Sequence, residues 1–380
     1  MSRVPNALGR AARLMSSMRG PSQPPGHRLL PLKGVKVLEF SGLAPVPHCG
    51  LVLADFGADV TVLEKKSNAG LSALKMPGDD MVEGRLNRGK KSIDINLKKP
   101  EDVARVKEMC KTADVLLDPY RPGVLEKLGL DPVDLLKANA ALIVCRLTGF
   151  GQSGPMATEA GHDINYTALS GVLPTVAGHR SLPPWPPANL LSDFAGGALT
   201  AAFGIVSALF QRTTNGGKGC VLDVSMVEGL AYLSTFITMY KNIDYLWTVP
   251  HAAFGSENPI YRCYETKDGK YVSVGALEPK FTASLVNVLG LNRQPSDVFS
   301  APAEFAEELE RVFKTKTRDE WTTIFKGSDA CVAPVLDLHD VGDHPHHRER
   351  DAFIKDEEGR WIPRPHPRFF PIDELKKSKL

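Results

Sequence analysis

The chain has 380 residues with 46 basic and 44 acidic side chains, and 43% of its residues are hydrophobic. This balance is typical of a folded globular protein. It excludes a largely disordered chain, or a small core that depends on disulfides or a metal. The length predicts two or three domains. Five arginines lie in the first 30 residues and three lysines in the last five, so the remaining chain is mildly acidic, which argues against a broad nucleic-acid surface.

Both ends resemble targeting signals. Residues 1–30 contain arginine and serine but no acid and no long apolar run, which favours a mitochondrial transit peptide, with an unstructured tail as the alternative. The sequence ends in Ser378-Lys379-Leu380, a tripeptide that the peroxisomal import receptor binds. We therefore expect the protein in peroxisomes and mitochondria. Its six cysteines form no CxxC motif and are expected to be free thiols.

Short apolar runs alternate with helical stretches in the first half of the chain. Strands are predicted at 35–40, 59–64, 92–97, 114–118 and 141–148, and helices at 47–56 and from Pro100. Strands separated by helices indicate βαβ units and a parallel sheet. We therefore expect an α/β fold with a Rossmann-like large domain.

The pattern changes after Cys220. Residues 221–240 are predicted to form a strand that leads into a helix, and a hairpin is predicted at 260–276 because Asp268-Gly269 suits a tight turn. Helices are expected at 302–315 and 317–325, which indicates a smaller α+β domain. The inferred organisation is a targeting segment at 1–30, a large domain at 31–221 with a return of 366–380, linkers at 222–257 and 349–365, and a small domain at 258–348.

Two common alternatives, a membrane protein and a nucleotide-dependent enzyme, find no support in the sequence. The longest uncharged run, Phe194 to Gln211, contains three glycines and is shorter than the ~20 residues of a bilayer span, so we expect a buried helix and no membrane span. The turn Ser41–Pro47 contains prolines and lacks the GxGxxG pattern of dinucleotide sites, and no GxxxxGK[ST] motif occurs. A nicotinamide-dependent dehydrogenase is therefore not expected.

Three acid–base candidates stand in unusual surroundings. His162 comes after a glycine-rich loop that ends a predicted strand, where α/β sheets place their sites. Asp193 precedes an apolar helix and is expected at its N-cap, where the helix dipole favours a carboxylate. Glu278 follows the second strand of the predicted hairpin. Each has an ordinary alternative: a structural or solvated histidine, a capping aspartate and a solvated loop acid.

Basic residues concentrate in the first third of the chain and are expected to form either a solvated face or a site for phosphate groups. They are Lys65, Lys66, Arg85, Arg88, Lys90, Lys91, Lys98, Lys99 and Arg121. Three histidines, His344, His346 and His347, lie in a polar linker. They lack the i,i+4 spacing that would place two ligands on one helix face, so we expect no metal there.

Eight segments closely resemble the family III CoA-transferase superfamily, and the resemblance runs from about Leu32 to about Pro365. They are Gly42–Pro45, Leu53–Ala58, Asn87–Ser92, Gly149–Pro155, Gly161–Tyr166, Asn189–Gly197, Met226–Gly229 and Val274–Pro279. Within this family the resemblance is strongest to enzymes that invert the methyl-bearing C2 of 2-methyl-branched acyl-CoA thioesters. It implies the family III CoA-transferase fold, an interlocked homodimer, and CoA as part of the substrate, with no cofactor and no metal.

The resemblance also implies a role for each candidate. His162 and Asp193 match the two catalytic bases of the family, which transfer a proton between the faces of C2 through an enolate, and Glu278 matches an acid that supports the histidine. The backbone N–H of Asp163 is expected to bind the enolate oxygen. The product would enter β-oxidation of branched-chain fatty acids and of bile-acid-type side chains.

Further residues match positions that bind CoA in the family. They are Lys65, Ile95, Asn96, Leu97, Lys98, Arg121, Gly161, Ile164, Asn165 and Tyr166. The position of Lys65 is usually an arginine in this family, and the sequence ends soon after Phe370, where the family usually continues with a helical segment. Two other functions stay open: a CoA-transferase, which needs mainly Asp193 as its nucleophile, and a non-catalytic CoA-binding subunit.

Overall fold

The computed structural model describes residues 29–65, 86–177, 188–247, 249–255, 257–356 and 358–371. The described residues fall into two compact units. Those within 1–173, 185–233 and 363–380 form the first unit, and those within 174–184 and 234–362 form the second. Residues 1–28 of the predicted transit peptide, the tripeptide Ser378-Lys379-Leu380 and the basic residues Lys66 and Arg85 lie outside the described residues.

A six-stranded parallel sheet forms the centre of the first unit. Its strands are β1 (Lys36–Phe40), β2 (Asp59–Glu64), β3 (Lys91–Asp94), β4 (Val115–Asp118), β5 (Ile143–Thr148) and β6 (Val221–Ser225). Their order is β3-β2-β1-β4-β5-β6, and every adjacent pair is parallel. Parallel strands covered on both faces are apolar along their length, and β5 is buried at every position. The predicted Rossmann-like sheet is confirmed, although the strand predicted at 92–97 ends at Asp94.

Helices cover both faces of this sheet. The helices between residues 45 and 233 are α1 (Pro45–Asp55), α2 (Pro100–Cys110), α3 (Val124–Lys127), α4 (Pro132–Ala138), α5 (Asp163–Leu169), α6 (Leu173–Ala177), α7 (Thr200–Gln211) and α8 (Met226–Leu233). All but the first residue of α6 belongs to the second unit. On one face, Leu53 of α1 and Ile205 of α7 share a core with Val37 of β1. On the other face, Val106 of α2 shares a core with Leu38 of β1. Successive residues of a strand point to opposite faces, so each strand contributes to both cores.

A π-helix, Leu190–Leu199, continues directly into α7. Its Phe194 N–H donates to the Asn189 carbonyl oxygen at 3.1 Å, five residues earlier, which is the wide turn that often occurs at functional sites. The helix predicted from residue 194 therefore begins four residues sooner. By length and composition, Leu190–Gln211 is the one helical segment among the described residues that is apolar enough to cross a membrane, and 44% of its apolar window is buried in the protein.

Glycines let α8 contact the π-helix backbone to backbone. A Cβ atom on Gly229 would lie 1.9 Å from the Gly196 carbonyl oxygen, and one on Gly196 would lie 2.7 Å from the Leu230 nitrogen. Because protein interiors are close-packed, a larger residue at either position would push the two helices apart. This contact fixes the π-helix, which also packs against β5 and β6.

The second unit contains a three-stranded antiparallel sheet whose strands lie in the order β7 (Tyr261–Glu265), β8 (Tyr271–Gly275) and β9 (Val332–Pro334). The predicted hairpin is confirmed, and Gly269 in its turn has a positive φ of 71°. Phe305 and Trp321 pack on Val272 in the core of this unit. Its elements are α9 (Thr235–Tyr240), α10 (Asp244–Trp247), β7 (Tyr261–Glu265), β8 (Tyr271–Gly275), α11 (Pro279–Leu289), α12 (Asp297–Ser300), α13 (Pro302–Phe313), α14 (Arg318–Phe325), β9 (Val332–Pro334), α15 (Pro345–Glu349), β10 (Phe353–Lys355) and β11 (Trp361–Pro363).

Candidate active site

A cavity of about 200 Å³ lies in the first unit, at the edge where the parallel strands end. It adjoins the ends of β1, β4 and β5, and the strand order reverses between β1 and β4, which is where open α/β sheets bind ligands. His162, Asp193 and Arg121 line this cavity. The apolar part of its wall consists of Leu43, Pro45, Val46, Pro119, Leu147, Phe150, Ala157 and Met226.

A tyrosine ring occupies the space that two glycines leave in the loop after β5. A Cβ atom on Gly149 would lie 2.1 Å from the Tyr166 ring, and one on Gly161 would lie 2.7 Å from it. The Tyr166 hydroxyl donates to the Gly161 carbonyl oxygen, and its ring packs edge-on against Phe150. The glycines therefore allow Tyr166 to hold α5 against the end of β5, which brings the first turn of α5 to the cavity.

His162 is the residue immediately before α5. Its backbone N–H donates to the side-chain oxygen of Asn165 at 3.0 Å, and this bond caps the helix. The imidazole is exposed and lines the cavity. The backbone thus fixes the position of His162 while its side chain stays accessible to a ligand.

Asp193 lies in the first turn of the π-helix and is only 8% exposed. The prediction that it caps this helix is wrong, because the helix begins at Leu190 and Asn189 is its N-cap, with a left-handed φ of 52°. Burial first, and then the negative charge of Asp163, raise the pKa of Asp193 to about 7. A carboxyl group with such a pKa is well suited to giving and taking a proton near neutral pH.

Asp163, the first residue of α5, turns its carboxylate toward the π-helix. Its Oδ2 accepts hydrogen bonds from the backbone N–H groups of Ser192 and Asp193, each at 2.9 Å, and its Oδ1 accepts one from the Thr167 hydroxyl at 3.2 Å. The role predicted for Asp163 involves only its backbone N–H, so the bonds of its carboxylate are a finding of the structure. Within the described part of the chain this N–H donates to no protein acceptor, so it remains available to a ligand oxygen.

Comparison with known proteins identifies the family to which this site belongs. The family model for CoA-transferase family III matches residues 32–371, which is most of the sequence. The chain belongs to CoA-transferase family III. The predicted family and its fold are therefore confirmed.

Three individual proteins show how far the similarity of this chain extends. A CaiB/baiF CoA-transferase family protein of Caenorhabditis elegans is 54% identical over 90% of this chain and 97% of that protein. The alpha-methylacyl-CoA racemase of Mus musculus is 47% identical over 88% of this chain and 86% of that enzyme. The crystal structure of Rv3272 from Mycobacterium tuberculosis is similar with a TM-score of 0.72 at 27% identity, covering 90% of this chain and 94% of that one.

The CoA-binding residues inferred from family III lie along the edge of the sheet that holds the cavity. Arg121 follows β4, lines the cavity and donates to the Thr158 carbonyl oxygen at 3.1 Å. Lys65 is exposed directly after β2. The segment 95–98 follows β3, and its Ile95 is buried in the core. Because all six strands are parallel, these loops share one edge of the sheet. Of the predicted CoA-binding residues, Arg121, Gly161 and Tyr166 line the cavity, whereas Lys65 and the segment 95–98 do not reach its described wall. Ile164 and Asn165 are exposed at the start of α5.

Part of the basic cluster is neutralised inside the protein. Lys90 is fully buried, and its ammonium group donates to both carboxylate oxygens of Glu39, at 2.9 and 2.8 Å, and to the Pro47 carbonyl oxygen at 2.8 Å. Arg88 pairs with Asp55 at 2.6 Å. Lys90 therefore belongs neither to a solvated face nor to a phosphate site, and both predictions are wrong for this residue. The sequence pattern could not show this, since the acids come from β1 and α1.

Glu278 belongs to the second unit, where it precedes α11 as the N-cap residue. Its side chain is exposed, and its carbonyl oxygen accepts a hydrogen bond from the Phe281 N–H at 2.9 Å. Its support of His162 stays a prediction.

The histidines of the polar linker lie in the second unit. The ring centroids of His344 and His347 are 5.5 Å apart. Among the described residues, no group of three or more histidine, cysteine, aspartate or glutamate side chains could hold a metal ion.

Proposed function

We propose that this protein racemises the methyl-bearing C2 of 2-methyl-branched acyl-CoA thioesters by moving a proton between two bases, His162 and Asp193. The observation that carries the proposal is the buried Asp193 carboxyl, with a pKa of about 7, on the wall of a cavity that His162 also lines. The similarity to an alpha-methylacyl-CoA racemase supports this substrate class. The product would enter β-oxidation of branched fatty acids and bile-acid-type side chains, in peroxisomes and mitochondria.

The reaction needs one protonated and one deprotonated base. The deprotonated base takes the C2 proton, the electrons of the C–H bond move toward C1, and the thioester oxygen becomes an enolate. The protonated base then delivers its proton to the opposite face of C2, and the carbonyl re-forms. The two bases have exchanged protonation states, so the same pair catalyses both directions. Since no electrons are gained or lost, the chemistry requires no redox cofactor.

The enolate oxygen needs a donor that is in place before charge develops. The backbone N–H of Asp163 meets this requirement, because it begins α5 and has no acceptor among the described residues. A donor fixed in a helix needs no reorganisation during the reaction, which is the main advantage of preorganised sites. Arg121 on the cavity wall, with Lys65 and the segment 95–98 further along the same edge, would bind the CoA part of the substrate.

A CoA-transferase would use the same cavity differently. In that reaction the Asp193 carboxylate attacks the thioester carbon, CoA leaves, and the acyl group is held as an anhydride. This route requires Asp193 but gives His162 no role in proton transfer. Racemisation accounts for both side chains on the cavity wall, and we therefore favour it.

The pH dependence of epimerisation tests the role assigned to Asp193. A singly protonated pair of bases predicts a bell-shaped profile of kcat/KM in both directions. Asp163 and Tyr166 interact electrostatically with the Asp193 carboxyl, and His162 lines the same cavity. The charge of Asp163 contributes to the raised pKa of Asp193. Asp163→Asn removes that charge, so the limb set by Asp193 is expected to move to lower pH. Initial rates of C2 epimerisation between about pH 5 and pH 9 measure this shift.

A second acid on the cavity wall provides the control for this experiment. Glu159 is exposed there, and its charge is not among the causes of the Asp193 shift. Glu159→Gln is therefore expected to leave both limbs in place. A limb that stays fixed in Asp163→Asn, or that moves to higher pH, would contradict the assignment of Asp193 as one of the two bases.

A homodimer is the assembly that the surface of α7 supports. Leu199, Phe203, Val206 and Phe210 lie three or four residues apart and form one exposed apolar stripe that continues the π-helix; Phe203 and Phe210 are each 73% exposed. A second copy of the chain would cover such a face, in the interlocked arrangement implied by the family. Sedimentation velocity is expected to show a dimer and no active monomer.

Two substitutions, one on this stripe and one elsewhere, show whether a charge disrupts the dimer only when it is placed on the stripe. Phe203→Glu places a charge on the stripe and is expected to yield inactive monomers. Phe299→Glu changes an isolated phenylalanine of α12 that is 87% exposed, and it is expected to leave the dimer intact. An active wild-type monomer would exclude the interlocked arrangement.

A further inference from the structure

A buried chain of three side chains joins the two elements that carry the proposed bases. It consists of Asp163 and Thr167 of α5 and Ser192 of the π-helix, and we call it the α5–π network. The Thr167 hydroxyl lies 3.2 Å from Asp163 Oδ1 and 2.8 Å from the Ser192 hydroxyl. Thr167 and Ser192 are 0% exposed, and Asp163 is 5% exposed. The catalytic scheme proposed above uses neither hydroxyl group.

The protons of this network have one consistent arrangement. The Thr167 hydroxyl has a single proton, and it donates that proton to Asp163 Oδ1. The Ser192 hydroxyl must then donate to the Thr167 oxygen. Asp163 therefore receives three hydrogen bonds, one from Thr167 and two from the backbone N–H groups of Ser192 and Asp193.

This arrangement connects the backbones that present the two bases. His162 directly precedes Asp163, and Asp193 directly follows Ser192, so each base is one peptide unit away from the network. The network bonds α5 to the first turn of the π-helix through the Thr167 and Ser192 hydroxyls and through the two backbone N–H groups that donate to Asp163. Buried, fully bonded polar groups of this kind favour one arrangement of the elements that they join.

We propose that Thr167 and Ser192 are positioning residues that hold Asp193 opposite His162 without touching the substrate. The inference rests on the proposed function and deepens it, because two bases on opposite faces of one carbon tolerate little displacement. A shift of about 1 Å in a reacting group costs up to about 100-fold in rate. Loss of the network therefore lowers kcat and leaves the affinity for the thioester nearly unchanged.

Steady-state kinetics of four variants test this role. Thr167→Val keeps the shape of the side chain but removes the hydroxyl, and Ser192→Ala removes the other one; each is expected to lower kcat by about 10- to 100-fold with KM within about twofold of wild type. Thr167→Ser retains the hydroxyl and is expected to restore most of kcat. Ser170→Ala is the matched control. The Ser170 hydroxyl lies just after α5, donates to the Thr167 carbonyl oxygen and accepts from the Val172 N–H, so it bonds neither Asp163 nor Ser192, and its loss is expected to leave kcat unchanged.

Amide hydrogen exchange gives a readout that does not depend on turnover. The backbone N–H groups of Ser192 and Asp193 are bonded to Asp163, so they are expected to exchange at least about 10-fold faster in Thr167→Val than in wild type or Ser170→Ala. Unchanged exchange and unchanged kcat in both Thr167→Val and Ser192→Ala would overturn the proposal. A wild-type protein that fails to exchange the C2 proton would instead refute the proposed function, while amide exchange would still test the network.

Discussion

Replacing His162 with alanine is expected to lower kcat for C2 epimerisation by about 100- to 10,000-fold, the range that one general base contributes. The affinity for the acyl-CoA thioester is expected to stay within about twofold of wild type. The imidazole is exposed on the cavity wall, and the helix cap beside it uses backbone and Asn165 atoms, so the substitution leaves the fold intact. Circular dichroism or NMR kinetics with each pure epimer measure the loss of activity.

The matched variant Asp193→Asn distinguishes a mechanism with one base on each face of C2 from a mechanism in which a single base serves both faces. In His162→Ala, the epimer whose C2 hydrogen faces Asp193 is expected to exchange that hydrogen with solvent, while the other epimer does not exchange. Asp193→Asn is expected to reverse this preference, because it leaves only His162 to remove a proton. Exchange of both epimers in either variant would show that a single base serves both faces, and near-normal epimerisation in His162→Ala would contradict its role.

Lys90→Met is expected to cause the largest loss of stability, about 3–5 kcal/mol in the free energy of unfolding. Lys90 and Glu39 are both fully buried, and the substitution leaves the Glu39 carboxyl without its partner. Burial already raises the pKa of Glu39 to about 7 although Lys90 lowers it, so the variant holds a proton on Glu39 still more strongly. Urea denaturation at several pH values measures the loss.

The sign of the pH effect follows from this raised pKa. The folded variant keeps the Glu39 proton at a pH at which the unfolded chain has released it, so stability is expected to fall as the pH rises above the ordinary pKa of a glutamate. Glu39→Gln combined with Lys90→Met removes both charges and is expected to recover most of the loss. Lys91→Met is the control: it breaks an exposed pair with Asp59 and is expected to cost less than about 1 kcal/mol.

Local patterns were sufficient to predict the sheet and the residues at its edge. Apolar runs separated by helices predicted the parallel strands, and the hairpin at Asp268-Gly269 forms where the turn residues indicated. The position of His162 after a glycine-rich loop at a strand end predicts that it belongs to the site, and it lines the cavity. These features depend on residues that are close in sequence, so a sequence pattern can reveal them.

Contacts between distant residues could not be predicted in this way. Asp163 lies 29 and 30 positions before Ser192 and Asp193, so no local pattern indicates the two hydrogen bonds that join their elements. The partner of Lys90 lies 51 residues away, so Lys90 resembled a solvated or phosphate-binding residue. The sequence does not indicate the π-helix either. The uncharged run that predicts a helix begins at Phe194, whereas the π-helix begins at Leu190 and includes Asp193. No local pattern around Thr167 or Ser192 indicates the network, because the two residues are 25 positions apart in sequence.

The most direct test of the central claim is deuterium incorporation at C2. The protein is incubated with (2R)-2-methylacyl-CoA in D2O without an acceptor acid, and the C2 position is followed by NMR. Two-base racemisation predicts that deuterium enters C2 as the stereocentre is inverted. No incorporation, together with acyl-group exchange once a free carboxylic acid is added, would contradict this account and assign Asp193 the role of a transferase nucleophile.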